Sequence, residues 1–186
     1  MIVIIDLGWG NLGALSQFFK RFDRDVRIVD YKELPHKKNN KSVLVWPGVG
    51  SATQFTLINE DHRKKLVYSY QSAHKNIAIC LGMQFLFGFH DEGSAGLNIF
   101  DAPVLSMPSH NIGYSKVNET LQYFNHGYSL RSPINLSSEF KVYTVSKDNH
   151  DHVAMIISKK LLACQFHPEK SRSAGIKLVG DFLCSD

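Results

Sequence analysis

The chain has 186 residues, 44% of them hydrophobic and 20% charged, with a formal net charge of +4. That is enough for one domain with a full core, residues 1–186, and hardly enough for two. The mild charge demands no nucleic-acid partner and none is expected; no apolar stretch approaches the length of a membrane span. The apolar run Ile2–Ile5 is too short for a signal peptide and lacks a basic start. Three cysteines, Cys80, Cys164 and Cys184, form an odd, widely spaced set without a Cys-x-x-Cys pair. Such usage argues against a disulfide framework or structural zinc and fits a reducing, cytoplasmic setting. No metal and no organic cofactor is expected.

In chain order, Ile2-Val3-Ile4-Ile5 is β-branched and apolar on both faces, as in a strand buried inside a parallel sheet. Gly8-Trp9-Gly10 reads as a turn and Asn11 as a helix N-cap. Leu12, Leu15, Phe19 and Phe22 then describe one apolar helical face. Val26–Val29 and Ser42–Trp46 read as the second and third strands, and Ile77–Ile79 as a fourth. His36, Lys37, Lys38 and Lys41, with Asn39 and Asn40, read as a solvated loop. Strand, helix, strand in this order predicts an α/β domain with a mainly parallel sheet. Ligands of such sheets bind beyond the carboxyl ends of the strands. The loops at Gly8–Gly10, Pro47–Gly50 and Cys80 should therefore gather on one edge. The second half carries shorter strand candidates: Gln122–Phe124, Phe140–Val145, Val153–Ile157 and Leu161–Phe166. Their close spacing favours antiparallel pairing, and Ile176, Val179, Phe182 and Leu183 fit a closing helix.

The most informative stretch is Lys75–Phe87, KNIAICLGMQFLF. A short apolar strand runs into Cys80, and Leu81, Met83, Phe85, Leu86 and Phe87 suit a buried helix. Gly82 supplies a residue without a Cβ where the turn is sharp. This is the layout of a nucleophile elbow with cysteine in place of serine. A thiol held at a helix start is biased towards the reactive thiolate. The competing account is that Cys80 is a small buried hydrophobe, as many single cysteines are.

A thiolate nucleophile needs a proton shuttle and a group that orients it. Of nine histidines, His167 in Cys164-Gln165-Phe166-His167-Pro168-Glu169 has the most telling neighbours. Pro168 biases His167 towards extended backbone, where residues two apart share a side. Glu169 can then fix the imidazole tautomer, although His-Pro-Glu is also ordinary loop chemistry. A developing oxyanion needs preorganised donors. Pro47-Gly48-Val49-Gly50 offers backbone N–H groups, and the N–H of Leu81 is the natural second donor.

Cys80-Leu81-Gly82-Met83-Gln84, Pro47-Gly48-Val49-Gly50 and His167-Pro168-Glu169-Lys170-Ser171 together resemble the class I, triad-type glutamine amidotransferases. Asp6–Leu12 and Tyr123-Phe124-Asn125-His126-Gly127-Tyr128 narrow the resemblance to the glutaminase subunits of imidazole glycerol phosphate synthases. The matches run from one end of the chain to the other in the family's order. The resemblance implies a flavodoxin-like α/β fold with a smaller antiparallel portion in the second half. It implies Cys80 as nucleophile, His167 as acid and base, and Glu169 as the orienting carboxylate. Val49, Gly50 and Leu81 would form the oxyanion hole. Gly48, Gly50, Gln84, His126, Gly127 and Tyr128 would hold L-glutamine. Departures from the family pattern are Leu7 for tyrosine, Gly13-Ala14 for arginine-serine, Ala78 for glycine and Gly127 for serine. Asn111-Ile112-Gly113-Tyr114 replaces a His-Met-Gly-Trp-like run, with His110 displaced by one.

The reaction so implied is hydrolysis of the glutamine side-chain amide to glutamate and ammonia. Ammonia released into neutral water is protonated and lost as a nucleophile. A chain of this length with no visible acceptor site therefore implies a synthase partner, by resemblance a (β/α)8-barrel cyclase of histidine biosynthesis, in a heterodimer. Two alternatives remain at this stage. One is a divergent relative supplying ammonia to amidinate a bacterial surface sugar. The other is another thiol hydrolase on the same fold.

Overall fold

The structure, a computed structural model, describes residues 1–34 and 42–185. The lysine cluster from His36 to Lys41 lies outside them. The first half alternates as expected: β1 (Ile2–Asp6), α1 (Leu12–Phe19), β2 (Val26–Asp30), β3 (Val43–Trp46), α2 (Glu60–Ser72), β4 (Lys75–Ile79) and α3 (Leu81–Phe85). β1, β3 and β4 are buried along their length apart from Asp6. That double-sided burial is why they read as continuous apolar runs. Asn11 caps α1 by accepting a hydrogen bond from the Ala14 N–H at 3.1 Å. The helix ends before Phe22, whose ring still packs on Phe18 and Phe19.

The second half comprises β5 (Phe89–His90), β6 (Ser94–Ala95), β7 (Val104–Val117), β8 (Thr120–Leu130), β9 (Lys141–Lys147), β10 (His150–Ile157), β11 (Leu161–Cys164) and α4 (Arg172–Cys184). The main sheet has the order β2-β1-β3-β4-β11-β10-β9. β2, β1, β3, β4 and β11 are parallel; β10 and β9 add an antiparallel edge. A second sheet, β6-β5-β7-β8, is dominated by the long β7–β8 hairpin.

Three features differ from the sequence reading. β11 is antiparallel to β10 but also pairs in parallel with β4, so it is a central strand of the main sheet. Close spacing along the chain governs pairing with the preceding strand only. α2 and β7 carry no clean periodic signal. α2 buries only Leu66 and Ser69, and β7 alternates polar side chains on a mostly exposed ribbon.

Two core layers flank the main sheet. One holds Trp9, Trp46, Phe55, Phe85 and Leu86. The other holds Phe18, Phe19, Phe124, Phe166 and Phe182. They fix β4 and β11 from both sides, and these strands deliver Cys80 and the segment leading to His167.

Candidate active site

Cys80 leaves β4 with φ 51° and ψ −111°, a left-handed, strained conformation for a residue with a Cβ. The turn is pinned by the Cys80 N–H, which donates to the Cys164 carbonyl at 2.6 Å, and by the Gln84 N–H, which donates to the Cys80 carbonyl at 3.1 Å. Thus the cysteine itself, and not Gly82, takes the unusual dihedrals. Gly82 is required for a different reason. A Cβ there would overlap the carbonyl oxygens of Trp46 and Pro47. A Cβ on Gly48 would likewise overlap the backbone of Leu81 and Gly82. Two glycines therefore let the Pro47–Gly50 loop rest on the elbow, and Gly10 completes the edge, its virtual Cβ lying 3.0 Å from the Pro47 side chain. The three loops do gather as the topology required.

His167 enters from the end of β11 and is 2% exposed. Its Nδ1–H donates to Glu169 Oε1 at 2.8 Å, and it lines the same cavity as Cys80. Burial opposes a charge on this ring, but the bonds to Cys80 and Glu169 outweigh it and raise the pKa to about 9. The raised pKa makes the His167 ring an imidazolium at neutral pH, in the same cavity lining as Cys80. Because α3 spans only five residues, the histidine is the more substantial charge partner of the sulfur. The Cys164 thiol, fully buried below, is pushed far above its ordinary pKa by desolvation and then by Glu169. It is a packing residue.

A cavity of about 340 Å³ opens beside Cys80, within the size range of small-molecule sites. Val49, Gly50, Leu81, Gln84, His126, Gly127, Tyr128 and His167 all line it, as do Ser51, Glu92, His110 and Asn125. Among the described residues, the N–H groups of Val49, Gly50 and Leu81 have no backbone acceptor. Gly48 does not line this cavity. It faces a smaller one of about 100 Å³ that also includes Asn11, His167 and Glu169, so its observed role is the close approach to the elbow. A more apolar cavity of about 180 Å³, lined by Val3, Leu34 and Leu44 and by Ser42, Ser69 and Ser72, lies at the amino ends of the strands and is lined by neither cysteine nor histidine.

Gln84 lines the cavity with its amide fully engaged. Its Nε2 donates to the Tyr128 carbonyl at 2.9 Å and to Gln165 Oε1 at 3.1 Å, and its Oε1 accepts from His90 Nε2 at 3.1 Å. Gln165 Nε2 in turn approaches the Cys80 Sγ at 3.6 Å. On the far side, His90 Nδ1 accepts from the Glu92 N–H at 3.1 Å, and Glu92 Oε2 accepts from the Ala52 N–H at 2.6 Å. A chain of hydrogen bonds through Gln165, Gln84, His90 and Glu92 thus runs from the sulfur to the residue that follows the Gly50–Ser51 segment. His126 is similarly committed: Nδ1–H donates to the Tyr128 carbonyl at 2.9 Å, and Nε2 accepts from Asn111 Nδ2 at 3.3 Å. Burial lowers its pKa to about 4, so it is neutral and structural at pH 7.

Sequence reasoning missed Gln165, although it sits inside the Cys164–Glu169 stretch, and Glu92 and His90. The triplet His90-Asp91-Glu92, which brings the first ionisable side chains after Cys80, was the available signal for the latter two.

The sequence matches the family model "Glutamine amidotransferase class-I" over residues 3–184. The chain belongs to the class I glutamine amidotransferases. Among curated relatives of this amidotransferase, imidazole glycerol phosphate synthase subunit HisH of Prochlorococcus marinus strain MIT 9211 is 32% identical, covering 98% of this chain and 93% of its own. The HisH subunit of Caldanaerobacter subterraneus is 31% identical, covering 98% and 97%. A solved glutamine amidotransferase superposes with a TM-score of 0.73 at 18% identity, covering 98% of this chain and 96% of its own. Another, from Thermotoga maritima, gives 0.53 at 17% identity, with 98% and 83% covered. The two solved structures share the fold, as the α/β sheet with its smaller antiparallel portion requires. Among the described residues, no helix of this amidotransferase is long and apolar enough to cross a membrane.

Proposed function

We propose that this amidotransferase is the glutaminase subunit of an imidazole glycerol phosphate synthase, acting in histidine biosynthesis as one domain spanning residues 1–186. The observation that carries the chemistry is the His167–Glu169 pair at 2.8 Å, whose imidazole lines one cavity with Cys80. The pathway rests on the near-full-length similarity to HisH subunits.

In this reading the Cys80 thiolate attacks the side-chain carbonyl carbon of L-glutamine. The N–H groups of Leu81 and of Val49 or Gly50 hold the oxyanion. His167 gives its Nε2 proton to the departing ammonia, leaving a glutamyl thioester. The ring, now neutral and oriented by Glu169, draws a proton from water, which cleaves the thioester to glutamate and restores the thiolate. The Glu92 carboxylate lines the same cavity and suits the α-ammonium of the substrate. Ammonia passes directly to a synthase subunit, a (β/α)8 barrel docked in a cytoplasmic heterodimer, because release into water would protonate it.

The test is glutamate release by the purified chain alone and with the imidazole glycerol phosphate synthase cyclase subunit and its acceptor. The glycines of the Pro47–Gly50 loop permit a peptide to rotate at little steric cost. Absence of one oxyanion donor costs about 10²- to 10³-fold in rate. Stimulation of that order by the cyclase is expected; full activity of the isolated chain, unchanged by the cyclase, would refute the coupling.

A further inference from the structure

We propose that His110 is the residue that recognises the α-carboxylate of the substrate, a role made possible by the absence of a side chain at Gly127. The proposal rests on the glutaminase reading above and adds a binding residue to it.

The first observation is one of register. Ser106 pairs with Tyr128 and Asn111 pairs with His126, so residues 107–110 bulge outward opposite Gly127 alone. A bulge re-aims the side chains next to it. Here it lays the His110 ring across the Gly127 position: a Cβ built on Gly127 would lie 3.1 Å from His110 Nδ1 and 3.4 Å from its Cε1. The ring occupies the space that any side chain at 127 would claim, and both residues line the cavity beside Cys80.

The second observation is chemical. An α-amino acid presents an ammonium and a carboxylate, and the cavity already offers one carboxylate, Glu92. No lysine or arginine lines it. Of its three histidines, His167 is bound to Glu169, and His126 has both nitrogens engaged and is held neutral. Among the described residues, only the His110 imidazole combines a position in the lining with ring nitrogens that carry no hydrogen bond. A carboxylate gains most from a donor that can also carry positive charge. His110 is exposed at the mouth of the cavity, where the ring can meet an incoming anion without first being desolvated.

The experiment uses the Cys80→Ala chain, which cannot turn over substrate, titrated calorimetrically with L-glutamine and with L-glutamine α-amide, whose α-carboxylate is replaced by a neutral carboxamide. One charge-assisted hydrogen bond at a half-open site corresponds to about a tenfold preference. His110→Ala should weaken L-glutamine about tenfold and collapse the preference for L-glutamine over the α-amide. Gly127→Ala, which displaces the ring, should produce the same selective loss, and combining the two should add nothing further. Equal weakening of both ligands, or an unchanged preference in His110→Ala, overturns the assignment while leaving the glutaminase reading intact. Failure of the His110-intact protein to bind L-glutamine overturns both.

Discussion

Replacing Glu169 with glutamine tests the proton-handling half of the site. The carboxylate is 8% and the imidazole 2% exposed in their side chains, so solvent screens their bond little. A hydrogen bond to a charged group contributes about 1.5–3 kcal/mol, or roughly 10- to 100-fold if its full value is felt as His167 becomes cationic. The carboxamide adds a second defect. Its NH2 can donate to Nδ1, which moves the ring proton to Nε2 and removes the base that faces Cys80. In serine triads the corresponding change lowers kcat about 10⁴-fold, so a loss of about 10³- to 10⁴-fold is expected here. KM for glutamine should change little, because Glu169 does not line the cavity beside Cys80. The sign of the pH effect follows from the raised pKa of His167. Its stabilising contribution is complete below the ordinary value of 6.5 and is lost as pH rises through about 9. Thermal unfolding of the native chain should therefore weaken across that window, and the Glu169→Gln curve should be flatter. The assay is steady-state glutamate release in the complex with the cyclase, paired with melting curves from pH 6 to 10 (about that span covers both values). Turnover equal to the native chain, or a rise in KM with kcat intact, would refute the assigned role.

Cys80→Ser should reduce glutamate release to background with unfolding unchanged, since the side chain is replaced by one of nearly equal size. A diazo-ketone analogue of glutamine should label Cys80 and spare Cys164 and Cys184, as read by peptide mass spectrometry; labelling mainly at Cys164 would sink the assignment. Gly82→Ala should destabilise the fold by about 1–3 kcal/mol through overpacking, a fall of roughly 2–12 °C in Tm, because its Cβ meets backbone carbonyls of the neighbouring loop. Gln84→Leu leaves His90 Nε2 and Gln165 Oε1 without their partner. It should cost about 1–3 kcal/mol for each orphaned group that water does not reach, measured by chemical denaturation, and lower kcat as the sulfur loses an oriented neighbour.

How much of this was legible in the sequence depended on the range of the interaction that encodes each part. β1, β3 and β4 announced themselves because burial on both faces demands continuous apolar runs, a property of each strand alone. The elbow was visible for a similar reason: strand, cysteine, glycine and helix are contiguous. The same holds for His167 and Glu169, whose geometry is set by one proline and a two-residue spacing. β7 and α2 were opaque because their exposed faces lack a periodic apolar signal. The reason for Gly82 was also hidden, since it lies in a strand more than thirty residues earlier in the chain.

The wall of the cavity away from the elbow was the least legible, for a physical reason. Gln84 stands beside the nucleophile in sequence, yet its partners are His90 and Tyr128, on two strands of the smaller sheet, and Gln165, just past the end of β11. Whether such an amide faces substrate or braces the wall cannot follow from its own neighbourhood. His110 and Gly127 make the point more sharply. Seventeen positions apart (about one hairpin of chain), they are brought together by a bulge in which residues 107–110 stand against one residue of β8. Shifting that register would carry the imidazole away from the sulfur without altering a residue of either strand. The elbow and the His167–Glu169 pair are therefore written locally, and the placement of His110 in the pairing of β7 with β8. Variation confined to the hairpin should then alter which amide donor is accepted while leaving thioester chemistry at Cys80 unchanged.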